Sequence, residues 1–151
     1  LAHEAEEAVP FPRVWLEEGS YDFSFSGLKS AVINYKHNMD QRGEEIIPAY
    51  VAKGFQDSVV EVLTAKTLRA AREYNVKQVI AAGGVSANKG LRTSLETTFE
   101  AEGIPFYVPP LKLCTDNAAM IGAAGHYMYE AGVRGNMKMN GKPGMELESW
   151  V

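Results

Sequence analysis

An apolar run that ends in two adjacent glycines is the feature that most constrains this fold. Residues 79–90 read Val-Ile-Ala-Ala-Gly-Gly-Val-Ser-Ala-Asn-Lys-Gly. The pattern predicts a buried strand, a turn at Gly83 and Gly84 where missing β-carbons let the backbone approach a ligand, and a helix that begins at once near Asn88. Such a turn either binds a nucleotide or only connects the strand to the helix. Asn88 likewise either contacts that ligand or caps the helix.

A second polar cluster opens an alanine-rich helix. Residues 113–122 read Leu-Cys-Thr-Asp-Asn-Ala-Ala-Met-Ile-Gly. Free N–H groups and the helix dipole would hold the Asp116 carboxylate in a defined position there. Asp116 is therefore either a helix cap or a metal ligand, and a metal site needs three or more ligands. The other ligands are not evident in this chain, whose histidines are scattered at His3, His37 and His126.

Periodicity and turn residues predict an α/β fold in strand–helix–strand–helix order. Right-handed connections make this order a parallel sheet whose carboxyl ends border a ligand crevice, so the two polar motifs should face one crevice. The predicted helices are the end of one within residues 1–8, 27–39 with Ser26 as cap, 48–74, 88–102 and 115–131. The predicted strands are 21–25, 76–82 and 104–108, of which 76–82 is expected to be buried at the centre of the sheet.

Helical spacing also predicts which side chains face the core. The long helix 48–74 should bury one face, which consists of Val51, Phe55, Val59, Val62 or Leu63, and Leu68. Leu28, Val32 and Tyr35 should face inward from the preceding helix. His126 is interpreted as a residue at the edge of the core. Residues 133–151 are predicted to form a C-terminal arm or a hairpin around Asn140-Gly141.

Charge and composition exclude several classes of protein. Fifteen basic and nineteen acidic residues give a net charge of −4, so no general basic face for nucleic acid is expected. Lys29, Lys36, Lys89 and Arg92 form either a local phosphate-binding patch or ordinary solvated helix charges.

A single cysteine, Cys114, excludes an internal disulfide and is interpreted as a small buried residue. No apolar run reaches the roughly 20 residues of a membrane span, which indicates a soluble cytoplasmic protein.

Together with the sequence Tyr-Asp-Phe-Ser-Phe-Ser-Gly-Leu-Lys-Ser at residues 21–30, the two polar motifs closely resemble the C-terminal half of the tRNA threonylcarbamoyladenosine transferase family, formerly filed as O-sialoglycoprotein endopeptidase or glycoprotease. The resemblance includes Phe55-Gln56-Asp57-Ser58 and extends to about Gly132. It implies a lobe of the actin, Hsp70 and sugar-kinase superfold, which is ribonuclease H-like, with an adenylate cleft between two lobes. Residues 1–132 would be a fragment of the second lobe, and residues 133–151 an arm.

The resemblance also implies a reaction, which is transfer of threonylcarbamoyl from threonylcarbamoyl-AMP to the exocyclic amine of adenosine-37 in tRNA. By motif, Asn88 would bind substrate, Gly83 and Gly84 would give the adenosine room, and Asp116 would bind one divalent metal ion, iron or zinc. The remaining ligands would lie upstream of Leu1. The old peptidase label lacks support, because a zincin needs His-Glu-x-x-His and the chain has none.

A chain that carries only this half is expected to be inactive alone. It should bind partner proteins of the threonylcarbamoyladenosine synthesis complex, and its open sheet edges would favour a homodimer. The alternative from a different class is a noncatalytic module of the same superfold that binds nucleotide or protein. Small residues over 118–125 allow the close helix packing that such a module would use, although packing within a core explains them as well.

Overall fold

The computed structural model describes residues 1–141 and 143–144 of the chain, which divides into two units, Leu1–Thr115 and Asp116–Val151. The described residues are mostly helical with two short strands. The helices are α1 (Ser26–Arg42), α2 (Pro48–Glu73), α3 (Lys89–Ala101) and α4 (Ala118–Glu130), and the strands are β1 (Val79–Ile80) and β2 (Phe106–Tyr107). Short 3₁₀ turns cover Ala2–Glu4, Gly84–Ala87 and Leu111–Leu113.

The two strands pair in parallel, as the strand–helix–strand order predicts. Val79 lies opposite Phe106 and Ile80 opposite Tyr107, and α3 forms the crossover between the strands. Both strands are shorter than the predicted 76–82 and 104–108. The prediction of a central, buried strand is wrong for the described residues, because β1 pairs there with β2 alone and the Ile80 side chain is 64% exposed. Both strands of a two-stranded sheet are edges.

The core of the first unit lies where α2 and α3 cover the strands. Leu91, Leu95 and Phe99 recur every four residues along α3, so they share one face of the helix and are all buried. Ala71 of α2 completes this buried cluster. The Phe99 ring is fully buried and stacks on the ring of Phe106, with 5.8 Å between centroids. Apolar residues packed against the cluster are Val60, Leu63, Leu68, Val76, Val79, Ala81, Ile104 and Phe106.

The buried face of α2 differs from the prediction. Val62 is fully buried as expected, but Phe55 is 41% exposed, and Gly54 and Ser58 are buried instead. They face the amino-terminal segment: Ser58 Oγ donates to the carbonyl of Phe11 at 3.2 Å. Apolar periodicity missed this face because small residues, rather than large ones, allow the segment to approach the helix closely.

Three further predictions for the first unit need correction. A 3₁₀ turn over Ala2–Glu4 replaces the helix end predicted within residues 1–8. Ser26 is the first residue of α1 rather than its cap, and the N-cap residue Phe25 makes no side-chain cap bond. Residues 21–25 form no strand, and the Asp22 carbonyl accepts from Lys66 Nζ of α2 at 2.6 Å rather than from a neighbouring strand. Leu28 of α1 is buried as predicted, whereas Val32 and Tyr35 are half-buried.

The second unit consists of α4 and the described part of the segment after it. The helix begins at Ala118, three residues later than predicted, and Gly132 follows it with a φ of +83°, as expected for a helix end. Every residue of α4 is exposed, including His126, so the interpretation of His126 as a core-edge residue is wrong. A turn forms at residues 137–138. The second half of the predicted hairpin, residues 145–151, lies outside the described residues, and the division at residue 132 stays a prediction.

Candidate functional site

The loop after β1 is closed by a tight 3₁₀ turn rather than by an immediate helix. Gly83 has a φ of +88°, a conformation that favours glycine, while a β-carbon there would meet nothing within 4 Å. The glycine is therefore needed for its backbone angle, and the space above it is open. The buried Ser86 donates to the Gly83 carbonyl through its backbone N–H at 3.0 Å and its hydroxyl at 2.6 Å, which fixes the loop.

Asn88 ends this loop and caps α3. Its Oδ1 accepts a hydrogen bond of 2.9 Å from the backbone N–H of Leu91, so the capping interpretation is confirmed. Its Nδ2 donates to Oε1 of Gln56 at 3.0 Å. A carboxamide has two lone pairs on its oxygen and two N–H bonds. The cap and the bond to Gln56 together therefore leave one lone pair and one N–H of Asn88 for a ligand.

Asn88 lies at the border of several cavities in the first unit. Together with Gln56 it lines one of about 680 Å³, whose walls are mostly apolar side chains of α1 and α2 such as Val32, Tyr35 and Phe55. The same pair lines a more polar cavity of about 630 Å³. The other residues around that second cavity are Leu1, Ala2, His3, Lys89, Gly90, Thr93 and Ser94. Both volumes suit a small-molecule ligand, for which clefts of about 300–1,000 Å³ are usual.

Arg92 holds loops together instead of presenting a charge for phosphate. Its guanidinium donates to the carbonyls of Ser86 at 2.5 Å and Pro109 at 2.8 Å and to the sulfur of Cys114 at 2.9 Å. Of the other cations in the predicted patch, Lys36 pairs with Asp40 at 2.6 Å, while Lys29 and Lys89 are exposed. Because Arg92 is bonded to protein atoms, it favours neither the phosphate-binding patch nor the solvated helix charges that the sequence left as alternatives.

The loops that follow β1 and β2 lie against each other, as a parallel arrangement predicts. A β-carbon on Gly84 would lie 3.8 Å from Cγ2 of Thr115, an ordinary van der Waals distance. Cys114 is 3% exposed, which confirms its predicted burial, and its thiol approaches the carbonyls of Pro109 and Pro110. Thr115 is the last residue of the first unit, so the placement of Asp116 relative to Asn88 stays a prediction.

Asp116 is exposed and is not the cap of the helix that follows it. Oδ1 of Asn117 accepts from the backbone N–H of Met120 at 3.1 Å, so the capping alternative for Asp116 is wrong. Within the part of the chain that the structure describes, no three or more His, Cys, Asp or Glu side chains are grouped to hold a metal ion. The described residues thus offer one candidate ligand in Asp116 and do not make up a metal site.

A cluster of charged side chains on α2, missed by the sequence analysis, fixes the segment that precedes α1. Lys66 is buried, and its Nζ lies 5.4 Å from the centre of the Phe23 ring. Arg69 donates to the Ser20 carbonyl at 2.6 Å and covers the Tyr21 ring. The Tyr21 hydroxyl donates to Glu73, and this hydrogen bond raises the pKa of Tyr21.

The contact of Gln56 with Asn88 was also not predicted, although its motif was noted. Its bond to Asn88 joins residues 32 positions apart, which no local pattern reveals. The sequence signal was the polar run Gln56-Asp57-Ser58 between the apolar residues Phe55 and Val59 of the long helix.

The fold and the site together define a mostly helical α/β protein with a parallel strand pair and a glycine turn that leads to a capping asparagine beside a cavity. A sequence model of the tRNA N6-adenosine threonylcarbamoyltransferase (TsaD) family matches residues 1–123. The chain belongs to this family.

Similar proteins carry the same family name. The chain is 60% identical over 151 residues to the tRNA N6-adenosine threonylcarbamoyltransferase of Bacillus subtilis (strain 168), with 99% of this chain and 44% of that protein covered. The protein of the same name from Bacillus licheniformis is also 60% identical, with the same coverage. The one from Staphylococcus carnosus (strain TM300) is 58% identical over 150 residues, again with 99% and 44% covered. The chain thus spans less than half the length of these relatives. No helix in the described ranges is both long and apolar enough to cross a membrane.

Proposed function

We propose that the complete protein transfers a threonylcarbamoyl group from threonylcarbamoyl-AMP to the exocyclic amine of adenosine-37 in tRNA, in the cytoplasm. Membership of the TsaD family supports this proposal. In it, residues 1–132 form part of the second lobe of an actin/Hsp70/sugar-kinase-like protein, and residues 133–151 form an arm. The chain contributes the adenylate side of the site and is inactive alone.

The observation that carries this assignment is the Asn88 carboxamide, which lies beside a cavity and has hydrogen-bonding groups that no atom of the described residues occupies. One N–H and one lone pair remain after Asn88 has capped α3 and bonded Gln56, so the group can both donate to and accept from an adenylate. Gly83 and the adjoining Gly84 have no side chains to cover the backbone, and the space above Gly83 is open. Bound in this way, the adenylate would be held so that its carbonyl meets the attacking amine, and positioning of this kind lowers the barrier by removing entropic cost in advance.

Asp116 is proposed as one ligand of a divalent metal ion, iron or zinc. Its carboxylate is exposed and is not used as a helix cap, which leaves it available for coordination. A single carboxylate does not bind such an ion specifically, and the described residues do not complete the set. The other ligands would come from the rest of the protein. The proposed partners are tRNA and the other proteins of the threonylcarbamoyladenosine synthesis complex, and the chain alone is proposed to form a homodimer.

The test of the proposal separates the cap from the substrate contact. Asn88→Ser keeps an oxygen that caps α3 but removes the carboxamide, whereas Asn88→Ala removes both. In the full-length protein with its partner proteins, incorporation of labelled threonine into tRNA should fall at least about tenfold for Asn88→Ser, the size of one or two lost hydrogen bonds. The melting temperature of the Ser variant should stay near that of the wild type. Asn38→Ser, at an exposed position of α1, is the matched control.

Wild-type incorporation by Asn88→Ser would refute the role of Asn88 in substrate binding.

A noncatalytic interaction module is the second candidate, and one observation favours it: α4 exposes large apolar side chains, among them Ile121 at 69% and Tyr127 at 72%. A module of this kind would show no affinity for adenosine nucleotides that depends on Asn88. Equilibrium binding of AMP to the wild type and to Asn88→Ser therefore distinguishes the two functions.

A further inference from the structure

We infer that Gln56 is a positioning residue for the substrate contact of Asn88. The inference rests on the proposed function, because it concerns the orientation of the Asn88 carboxamide. Gln56 lies on α2, far from α3 in sequence, and its Oε1 accepts a hydrogen bond of 3.0 Å from Nδ2 of Asn88. It is half-buried and lines the same two large cavities as Asn88.

The two hydrogen bonds of Asn88 together define which way its carboxamide faces. Oδ1 must face the N–H of Leu91, because an NH₂ group in that position would place donor against donor. Nδ2 then faces Gln56, which presents an acceptor. Without Gln56, the cap alone would restrain the terminal torsion of Asn88, which is broad, so the planar carboxamide would turn over a wider range, with its oxygen and nitrogen moving together. The remaining N–H of Asn88 would then point at the ligand for only part of the time.

Gln56 is itself held in place from two sides. The end of its side chain packs on the backbone of Gly90, where a β-carbon would lie 2.8 Å from Nε2 and 3.0 Å from Cδ. Such an approach is possible only because residue 90 is glycine. The adjoining turn of α2 is fixed by an ion pair between Lys53 and Asp57 at 3.0 Å and by the buried hydroxyl of Ser58. A rigid helix therefore carries the acceptor that orients Asn88.

The test uses the full-length protein and adenosine, an uncharged probe, with affinity measured by calorimetry. Gln56→Ala should weaken binding about five- to tenfold, the effect of one lost hydrogen bond. Gln56→Glu keeps an acceptor oxygen and should bind within about twofold of the wild type, since only the acceptor is needed. Gly90→Ala keeps both carboxamides but pushes the Gln56 side chain aside and also crowds Oδ1 of Asn88, 3.3 Å from the added β-carbon, so it should weaken binding at least as much as Gln56→Ala does. Gln78→Ala, at an exposed position, is the control.

A double variant shows whether Gln56 acts through Asn88. In the Asn88→Ser background, Gln56→Ala should cause no further loss of affinity. An additive loss would overturn the inference, because Gln56 would then contact the ligand independently. Wild-type affinity of both Gln56→Ala and Gly90→Ala, with Asn88→Ser weakened, would overturn it and leave the proposed function intact. Wild-type affinity of Asn88→Ser would instead refute the substrate site and this inference with it.

Discussion

The guanidinium of Arg92 and the sulfur of Cys114 lie 2.9 Å apart, so a cation on α3 is joined to the loop that follows β2. The same guanidinium bonds the Ser86 carbonyl in the loop after β1. One side chain therefore fixes the two loops at the carboxyl end of the parallel strand pair, the position where ligands bind in open α/β sheets.

Replacement of Arg92 by methionine should destabilise the chain. The variant keeps much of the apolar stem but removes the donors, and hydrogen bonds from charged groups contribute about 1.5–3 kcal/mol. We expect the free energy of unfolding in urea to fall by about 2–3 kcal/mol. The folded variant should also react faster than the wild type with a thiol reagent. Cys114, the one cysteine of the chain, is buried in the wild type and would become more accessible without the Arg92 guanidinium. Lys89→Met, at an exposed position beside α3's cap, is the control and should change stability by no more than about 0.5 kcal/mol.

Gly54→Ala should lower the free energy of unfolding far more than alanine at another helical glycine. A β-carbon on Gly54 would lie 2.0 Å from the backbone carbonyl oxygen of Val9, which has no flexible side chain to move aside. The expected loss is at least about 2 kcal/mol in urea unfolding. Gly125→Ala on α4 is the matched control, because nothing lies within 4 Å of that β-carbon. There the better helix propensity of alanine should stabilise by up to about 1 kcal/mol. Equal effects at the two positions would contradict the observed packing of Val9.

Truncation of Phe99 should remove a large part of the stability of the first unit. The ring is fully buried and stacked on Phe106, so Phe99→Ala leaves a cavity and should cost about 3–5 kcal/mol. Phe99→Leu fills part of that space and should cost less. Thermal unfolding followed by circular dichroism measures both. A loss below about 1 kcal/mol for the alanine variant would show that the core is not packed around this ring.

The ion pair of Arg72 with Glu102 should give stability an acid-dependent component. Arg72 donates to both carboxylate oxygens, at 2.9 and 2.5 Å, and this hydrogen bonding lowers the pKa of Glu102 in the folded state. The contribution is therefore complete above the ordinary glutamate pKa of about 4.3 and is lost as the pH falls through the lowered folded-state pKa.

Urea unfolding at a series of acidic pH values measures this component. The unfolded state binds more protons in that window, so stability should rise with pH there. Glu102→Gln should flatten the dependence, whereas the exposed Glu100→Gln should keep it. An unchanged slope in Glu102→Gln would contradict the assignment. The Arg72 side chain is 59% exposed and that of Glu102 is 27% exposed, so added salt should weaken the effect.

Local chemistry made several elements predictable from the sequence. Pro48 marks the first turn of α2, and Gly103 follows α3 with a φ of +68°. A helix cap was one of the two alternatives for Asn88, and the parallel strand pair followed from the order of strand and helix. Each of these features depends on a few neighbouring residues or on a topological rule. The bounds of strands were less predictable, because a strand extends only as far as a partner pairs with it.

The contacts that shape the candidate site join residues far apart in the sequence, and these were not predicted. The bond from Asn88 to Gln56 requires α2 and α3 to pack with Gly90 at the crossing. The burial of Lys66 and the partners of Arg92 likewise arise only when loops meet helices. Periodicity describes one element at a time and carries no information on such pairs.

The sequence by itself determined the family, the existence of the four long helices and the glycines that follow α3 and α4, because motifs and capping preferences act over a few residues. Only the tertiary structure decided that small and polar side chains such as Gly54 and Ser58 form a buried face of α2, and which free atoms of Asn88 remain for a ligand. The physical reason is that close packing and hydrogen-bond partners depend on the distances between elements, which the folded chain alone sets.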